Sequence, residues 1–402
     1  MGYIDCDSHV SETHETWDYL DPKDRHFRPR IVEFIHSALP GYTHGQFWVV
    51  GDTWGRFQSA GDGNIRENAN VFSSGATQLT DLSGRIADLD ALGIDVQLLL
   101  STFFLNVELD NPVEEMALCR SYNRWLSEHL AGFTERLPWA MRVPMRSMSE
   151  VAAMLQYGKE NGAVGVQVRG IEHGIPISDP CFYPLLEAAQ DLDMAIFVHV
   201  GDATRRQSIP FGNIVPNAPA YLHMLYYLMA GFHGVIAADF ERRFPRLRWG
   251  FLEGGCSWAP AVIQQHARLT SSGDEFLTLA PVTPAQLREK NIFIACEAEE
   301  DLPYLANLLG AETICAGTDY GHNDLGSELA AHDVITHRAD VEESLARKIT
   351  DTNGRQLLGV PADFTPAPAH NDLVSALPNV SGAGQATRPI LRATQRGLAT
   401  SR

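Results

Sequence analysis

Short apolar runs recur along the chain and alternate with segments of helical periodicity. In order they are YIDCDSH at 3–9, VQLLLST at 96–102, LPWAMRVPM at 137–145, AVGVQVRG at 163–170, AIFVHVG at 195–201, RWGFLEGG at 248–255, NIFIACE at 291–297 and TICAGTD at 313–319. Most are near-continuous rather than alternating, as parallel strands buried on both faces require. Between them, LTDLSGRIADLDALG, PVEEMALCRSYNRWLSEHLAGF, SMSEVAAMLQYGKENG, DPCFYPLLEAAQDLD and EESLARKITDTNGRQLLG carry apolar residues at helical spacing. Several have Ser or Asp before them and Gly or Asn after. Eight strand–helix alternations predict a (β/α)8 barrel in preference to a doubly wound sheet.

Two stretches exceed the repeat. Residues 10–79 form a long excursion after the first strand, rich in Gly, His and aromatic residues, and 202–247 form another after the fifth, with the apolar run LHMLYYLM. Long loops at the C-terminal ends of barrel strands cover active sites. From 361 to 402 the composition shifts to Ala, Pro, Gly and Ser with four Arg, which reads as an extension rather than a domain. The barrel is therefore expected over 1–360.

Composition narrows the partners. A formal net charge of −19 argues against nucleic acid or an anionic membrane, which need a basic face. No apolar stretch is long enough to span a bilayer and no signal peptide is visible at the start, so a cytoplasmic enzyme is expected. The six Cys form no C-x-x-C pair and several sit inside apolar runs, as small buried hydrophobes do.

Polar residues fall where the barrel gives them a use. Strand one ends in Asp7-Ser8-His9, strand five carries His199, strand six ends at Glu253 before Gly254-Gly255, and strand eight ends at Asp319 before Tyr320-Gly321-His322. Side chains alternate along a strand, so Asp7 and His9 face one side. Each piece alone has an ordinary explanation, such as a core His, a helix cap or an ion pair. All of them at one mouth do not, because converging carboxylates repel and resist desolvation until a divalent cation joins them. Candidate metal ligands are Asp7, His9, His199, Glu253, Asp319 and Glu12. Candidate catalytic groups are Glu253, Asp319 and His322. Arg169, Arg205 and Arg206 are candidates for gripping an anionic substrate.

With these motifs in view, the chain resembles the branch of the amidohydrolase superfamily that contains aminocarboxymuconate-semialdehyde decarboxylase. The matching stretches include IDCDSHVSETHETWDYL, FERRFPRLRWGFLEGGCSWAP and GTDYGHND, spread from residue 3 to about 360. The resemblance implies a metal held by Asp7, His9, His199 and Asp319, and a homodimer. There are departures. The decarboxylases carry a strand-six His in a run like A-H-G-G, where this chain has Leu252-Glu253-Gly254-Gly255. Strand four has no Lys for a carbamylated bridge, and the first ligand is Asp7 rather than His. The chain also resembles long, Glu-bearing relatives that act as non-haem diiron monooxygenases on a coenzyme-A-linked diterpenoid.

Two reactions follow. In the first, a dinuclear iron centre hydroxylates a bulky apolar intermediate, with a coenzyme A thioester as one form of substrate. The alternative is a single Zn or Mn ion serving a hydrolase or non-oxidative decarboxylase of a small carboxylate-bearing substrate. Ligand type tips the choice slightly to the oxygenase, since Glu253 is a natural bridging ligand where the decarboxylases have an acid/base His.

Overall fold

Burial on both faces, which the eight apolar runs demand, is met by one parallel sheet. The computed structural model describes residues 2–34, 45–56, 73–201, 221–270, 282–322 and 326–366. The barrel strands are β1 (Tyr3–Val10), β2 (Ile94–Ser101), β3 (Trp139–Met141), β4 (Ala163–Arg169), β5 (Ala195–His199), β6 (Trp249–Leu252), β7 (Ile292–Cys296) and β8 (Ile314–Ala316). They pair in sequence order in one eight-stranded sheet. Its edges meet where Asp319 N donates to the Asp7 carbonyl (2.9 Å) and His9 N to that of Tyr320 (2.6 Å). The result is a nearly closed (β/α)8 barrel, as expected.

Two apolar layers hold it. Ile4, Cys6, Leu98, Phe197, Leu252, Phe293 and Cys315 form an inner cluster, joined by Leu357 and Leu358 from the last helix. A larger outer cluster seats the helices on the sheet. Asp81 caps the helix Leu82–Leu92 by accepting from Gly84 N (2.8 Å), and Gly93 ends it at φ 71°. Asn111 caps Pro112–His129 through Val113 N (3.0 Å). The run expected at 342–359 is helical, with a wider π turn over Lys348–Thr352.

Several strands are shorter than the apolar runs. β3 covers only Trp139–Met141, between Pro138 and Pro144, which have no N–H for the ladder. β6 and β8 stop early and hand over to loops that turn sharply at Glu253 and Asp319. The first excursion includes an antiparallel sheet of Arg30–Phe34, Gly45–Val50 and Thr53–Arg56. From it Trp48 packs edge-on against Trp17 (5.9 Å) and Phe103 (5.7 Å). The second contributes the helix Tyr221–Ala237. Residues 202–220 and the tail from 367 lie outside the described residues. Among the described residues no helix is long and apolar enough to cross a membrane.

Candidate metal centre

The mouth of the barrel is shaped first by an irregularity in β1. Asp5 pairs with Gln97 and Ser8 with Leu99, so three steps on β1 oppose two on β2. Ile4 and Cys6 belong to the inner cluster. Asp5 turns the other way and accepts from Gln97 Nε2 (2.8 Å), Thr318 N (2.9 Å) and Thr318 Oγ1 (2.5 Å). The extra residue resets the alternation, so Asp7 and His9 reach the mouth although Cys6 already fills the interior; bulges at barrel rims re-aim side chains in this way. On β5, His199 follows Phe197 at the two-residue spacing of one strand face. Glu253 (φ 52°) and Asp319 (φ 49°) take left-handed backbone just past β6 and β8. Such strain persists only where the surroundings over-determine it.

Six buried side chains converge there. His199 Nε2 lies 3.2 Å from Asp7 Oδ1 and 3.5 Å from Glu253 Oε2. His9 Nε2 lies 3.4 Å from both Asp7 Oδ1 and Asp319 Oδ1. His322 Nδ1 lies 2.8 Å from Asp319 Oδ1, and its ring stacks on His9 with centroids 3.8 Å apart. Their donor atoms form two sets with a common member: Asp7, His9 and His199, and His9, Glu253, Asp319 and His322. Supporting contacts orient them. His199 Nδ1 donates to the Val200 carbonyl (2.7 Å), which leaves Nε2 as its ligand nitrogen. Thr102 Oγ1 meets His322 Nε2 (3.1 Å), and Ser327 Oγ donates to Asp319 Oδ2 (2.7 Å).

Electrostatics favours the ligand forms. Burial works against the charge on Asp7, but His199 and His9 outweigh it and hold the carboxyl well below its usual range. Burial, aided by His322, drives His9 well below the usual imidazole range, so it is neutral with a free lone pair. Both ring nitrogens of His9 are buried without a hydrogen bond. Carboxylate and imidazole donors without thiolate suit a hard or borderline divalent cation. The nearby thiols stay protonated: burial pushes Cys296 well above the thiol range, and contact with Cys6, then burial, does the same to Cys315. The residues present therefore fit a metal ion.

Of the residues singled out from sequence, Asp7, His9, His199, Glu253, Asp319 and His322 come together. Glu12 does not. Its Oε1 accepts from Ser101 Oγ (2.5 Å) and its Oε2 from Phe103 N (2.9 Å), so it anchors the turn after β2. Burial raises its carboxyl to about 7. Arg169 is likewise engaged elsewhere: its guanidinium pairs with Glu172 (2.7 Å) and Glu108 (3.4 Å) in a buried network. Arg205 and Arg206 lie outside the described residues. His173 joins that network through Glu115 (3.1 Å) rather than the centre.

Two acids went unnoticed in the sequence. Glu297 follows β7 at the spacing of Phe293 and Ala295, which face the interior. Its carboxyl is raised to about 8 by burial and then by Glu299, Glu300, Asp319 and Asp7. Glu300 clamps the turn after β6. The signal available was strand parity; the run CEAEED reads instead as a solvated acidic turn.

Comparison with known proteins gives one consistent picture. Residues 4–360 match the family described as Amidohydrolase. The chain is 22% identical over 278 residues to the 2-amino-3-carboxymuconate-6-semialdehyde decarboxylase of Dictyostelium discoideum, covering 69% of this chain and 76% of that protein. An amidohydrolase from Mycobacterium avium subsp. paratuberculosis superposes with a TM-score of 0.70 at 22% identity, over 90% of this chain and 99% of that one. A 5-carboxyvanillate decarboxylase from Novosphingobium aromaticivorans, in complex with manganese and a nitrobenzoic acid, gives a TM-score of 0.56 at 19% identity. That match covers 68% of this chain and 79% of the other.

Proposed function

The chain belongs to the amidohydrolase family, and on that premise we propose that it is a metal-dependent decarboxylase that releases carbon dioxide from a small unsaturated or aromatic acid without an oxidant. One observation carries the metal dependence: three carboxylates and three imidazoles, all buried, converge at the barrel mouth. The reaction is supported by the relatives, two of which are decarboxylases by name, one of them in complex with manganese. On ligand type alone the balance tipped to oxygenation; these relatives tip it back.

Asp7, His9, His199 and Asp319 would hold the ion, with Glu253 and His322 completing the set. A divalent ion in that place supplies a Lewis acid for the substrate's carboxylate or adjacent oxygen. The chain's own groups do the rest. Deprotonated Asp7 and neutral His9 are already in ligand form. When the bond to the departing carboxylate breaks, its electron pair stays on the substrate carbon, and a proton must replace the lost group. Glu253, where the family's decarboxylases carry a His, would move that proton once the substrate has taken its place among the ligands.

One feature supports a second reading. The donors fall into two overlapping sets, and although His9 can serve only one of them, the remaining carboxylates and imidazoles leave donors for a second ion, as a diiron oxygenase acting on a bulky apolar substrate would need. One experiment separates the readings. Protein loaded with manganese or with iron is given hydroxylated aromatic carboxylates and bulky apolar acids, with and without oxygen, and both carbon dioxide release and oxygen consumption are measured. We expect release that is unaffected by removing oxygen, at about one ion per chain. Turnover only with iron and oxygen, at about two irons per chain, would establish the second reading instead.

A further inference from the structure

Glu253 owes its position to a turn that its own sequence does little to fix. It sits at φ 52°, followed by Gly254 at φ 104° and Gly255 at φ 67°. A non-glycine residue in left-handed backbone costs roughly 1–2 kcal/mol, and the two glycines beyond it resist collapse only weakly. Something else must hold the turn open.

That something comes from the next barrel unit. The Glu300 carboxylate accepts from Cys256 N (3.0 Å to each oxygen), Ser257 N (2.7 Å) and Ser257 Oγ (2.5 Å). The Cys256 thiol adds a contact at 3.3 Å. The same carboxylate accepts from Glu297 N (3.0 Å), at the end of β7. One side chain therefore ties the turn after β6 to the end of β7. Gly255 is needed for the approach, since a Cβ there would lie 2.7 Å from Glu300 Oε1. On the other side of Glu253, Val200 N donates to the Leu252 carbonyl (3.4 Å), and Leu252 pairs with His199. Glu253 is thus caught between the β5–β6 ladder and the Glu300 clamp, with only Gly254 and Gly255 between, and the Gly255 carbonyl accepts from Trp258 Nε1 (2.7 Å).

We infer that Glu300 is a positioning residue for the metal centre: its clamp on Cys256, Ser257 and Glu297 holds Glu253 in the left-handed conformation that aims its carboxylate at His199. The inference rests on the reading that Glu253 belongs to the metal set. It goes beyond that reading by assigning the grip to a residue that does not itself ligate. An amide at 300 would turn its NH2 toward backbone N–H groups and break half of the clamp.

The test is a double-mutant cycle in the full chain, read by calorimetric titration of the metal-free protein with manganese(II) alone. Circular dichroism confirms folding of each variant, and Ser257→Ala serves as a milder disruption if Glu300→Gln folds poorly. We expect Glu300→Gln to weaken manganese binding roughly tenfold, the scale typical of residues that orient ligands. Glu253→Gln should weaken it as well. The double variant should then bind no worse than Glu253→Gln alone, because the clamp has nothing left to aim. A purely structural role would lower the melting temperature but leave manganese affinity unchanged, or would give losses that add in the double variant; either result overturns the inference. If Glu253→Gln itself binds manganese like the wild type, Glu253 is not part of the metal set, and both that reading and this inference fall.

Discussion

A carboxyl buried beside a metal centre can serve the metal or serve the fold, and Glu12 illustrates the second case. It lies three residues beyond His9, yet its oxygens are spent on Ser101 and Phe103. Burial raises it to about 7 from 4.5. A raised carboxyl binds a proton in the folded chain that the unfolded chain has already lost. Its stabilising effect is therefore complete below the unfolded value and disappears as pH climbs through about 7. Between about pH 5.5 and about pH 8.5 the loss is roughly 2 kcal/mol. Glu12→Gln imitates the protonated form and should escape that loss. Urea unfolding of the metal-free protein at the two pH values should show wild type losing roughly 2 kcal/mol more than the variant; equal losses would mean that Glu12 is solvated after all. Residues of this kind explain what the sequence conceals. Asp7, His9, His199 and Asp319 were legible because strand ends in a barrel point to one place. Glu12 and Arg169 occupy equally suggestive positions but are already engaged, which only their neighbours reveal.

Elements meet the same limit at their ends and seams. The eight apolar runs located every barrel strand, because burial on both faces leaves an unmistakable pattern. They could not announce the extra residue between Asp5 and Ser8, since a bulge changes pairing and not hydrophobicity. Nor could they show how closely β8 approaches β1. At Gly317 a Cβ would stand 2.4 Å from the Asp7 Cβ and 3.2 Å from Asp7 N. Gly317→Ala must therefore push the seam apart, at a cost of about 1–3 kcal/mol, and it moves Asp7, a proposed metal ligand, as it does so. Manganese affinity should fall together with the melting temperature. Gly158→Ala is the matched control. Its Cβ would strike the Met141 sulphur, a flexible side chain, from the helix Val151–Glu160. That variant should lower stability and leave manganese affinity alone. Equal effects on affinity would show that the Gly317 contact has no special reach into the centre.

For the molecule as a whole, a net charge of −19 offers manganese a trivial reason to bind and so sets the standard of proof. Exposed carboxylates attract cations weakly and over distances that salt shortens to about 3 Å at 1 M. The buried set of Asp7, Glu253 and Asp319 is different: its charges are shielded from salt by the barrel, and its geometry exists only in the folded chain. An ion bound there stabilises the folded state by about 2.7 kcal/mol at a hundredfold excess over its dissociation constant. In a domain of this size that amounts to a rise of at least a few degrees in melting temperature. The rise should survive in about 0.5 M salt, where surface association has largely vanished. His199→Ala removes one proposed ligand while leaving every surface carboxylate in place, and it should abolish the rise. A shift that fades with salt, or that persists in His199→Ala, would place the ion on the acidic surface and overturn the proposed metal site at the barrel mouth.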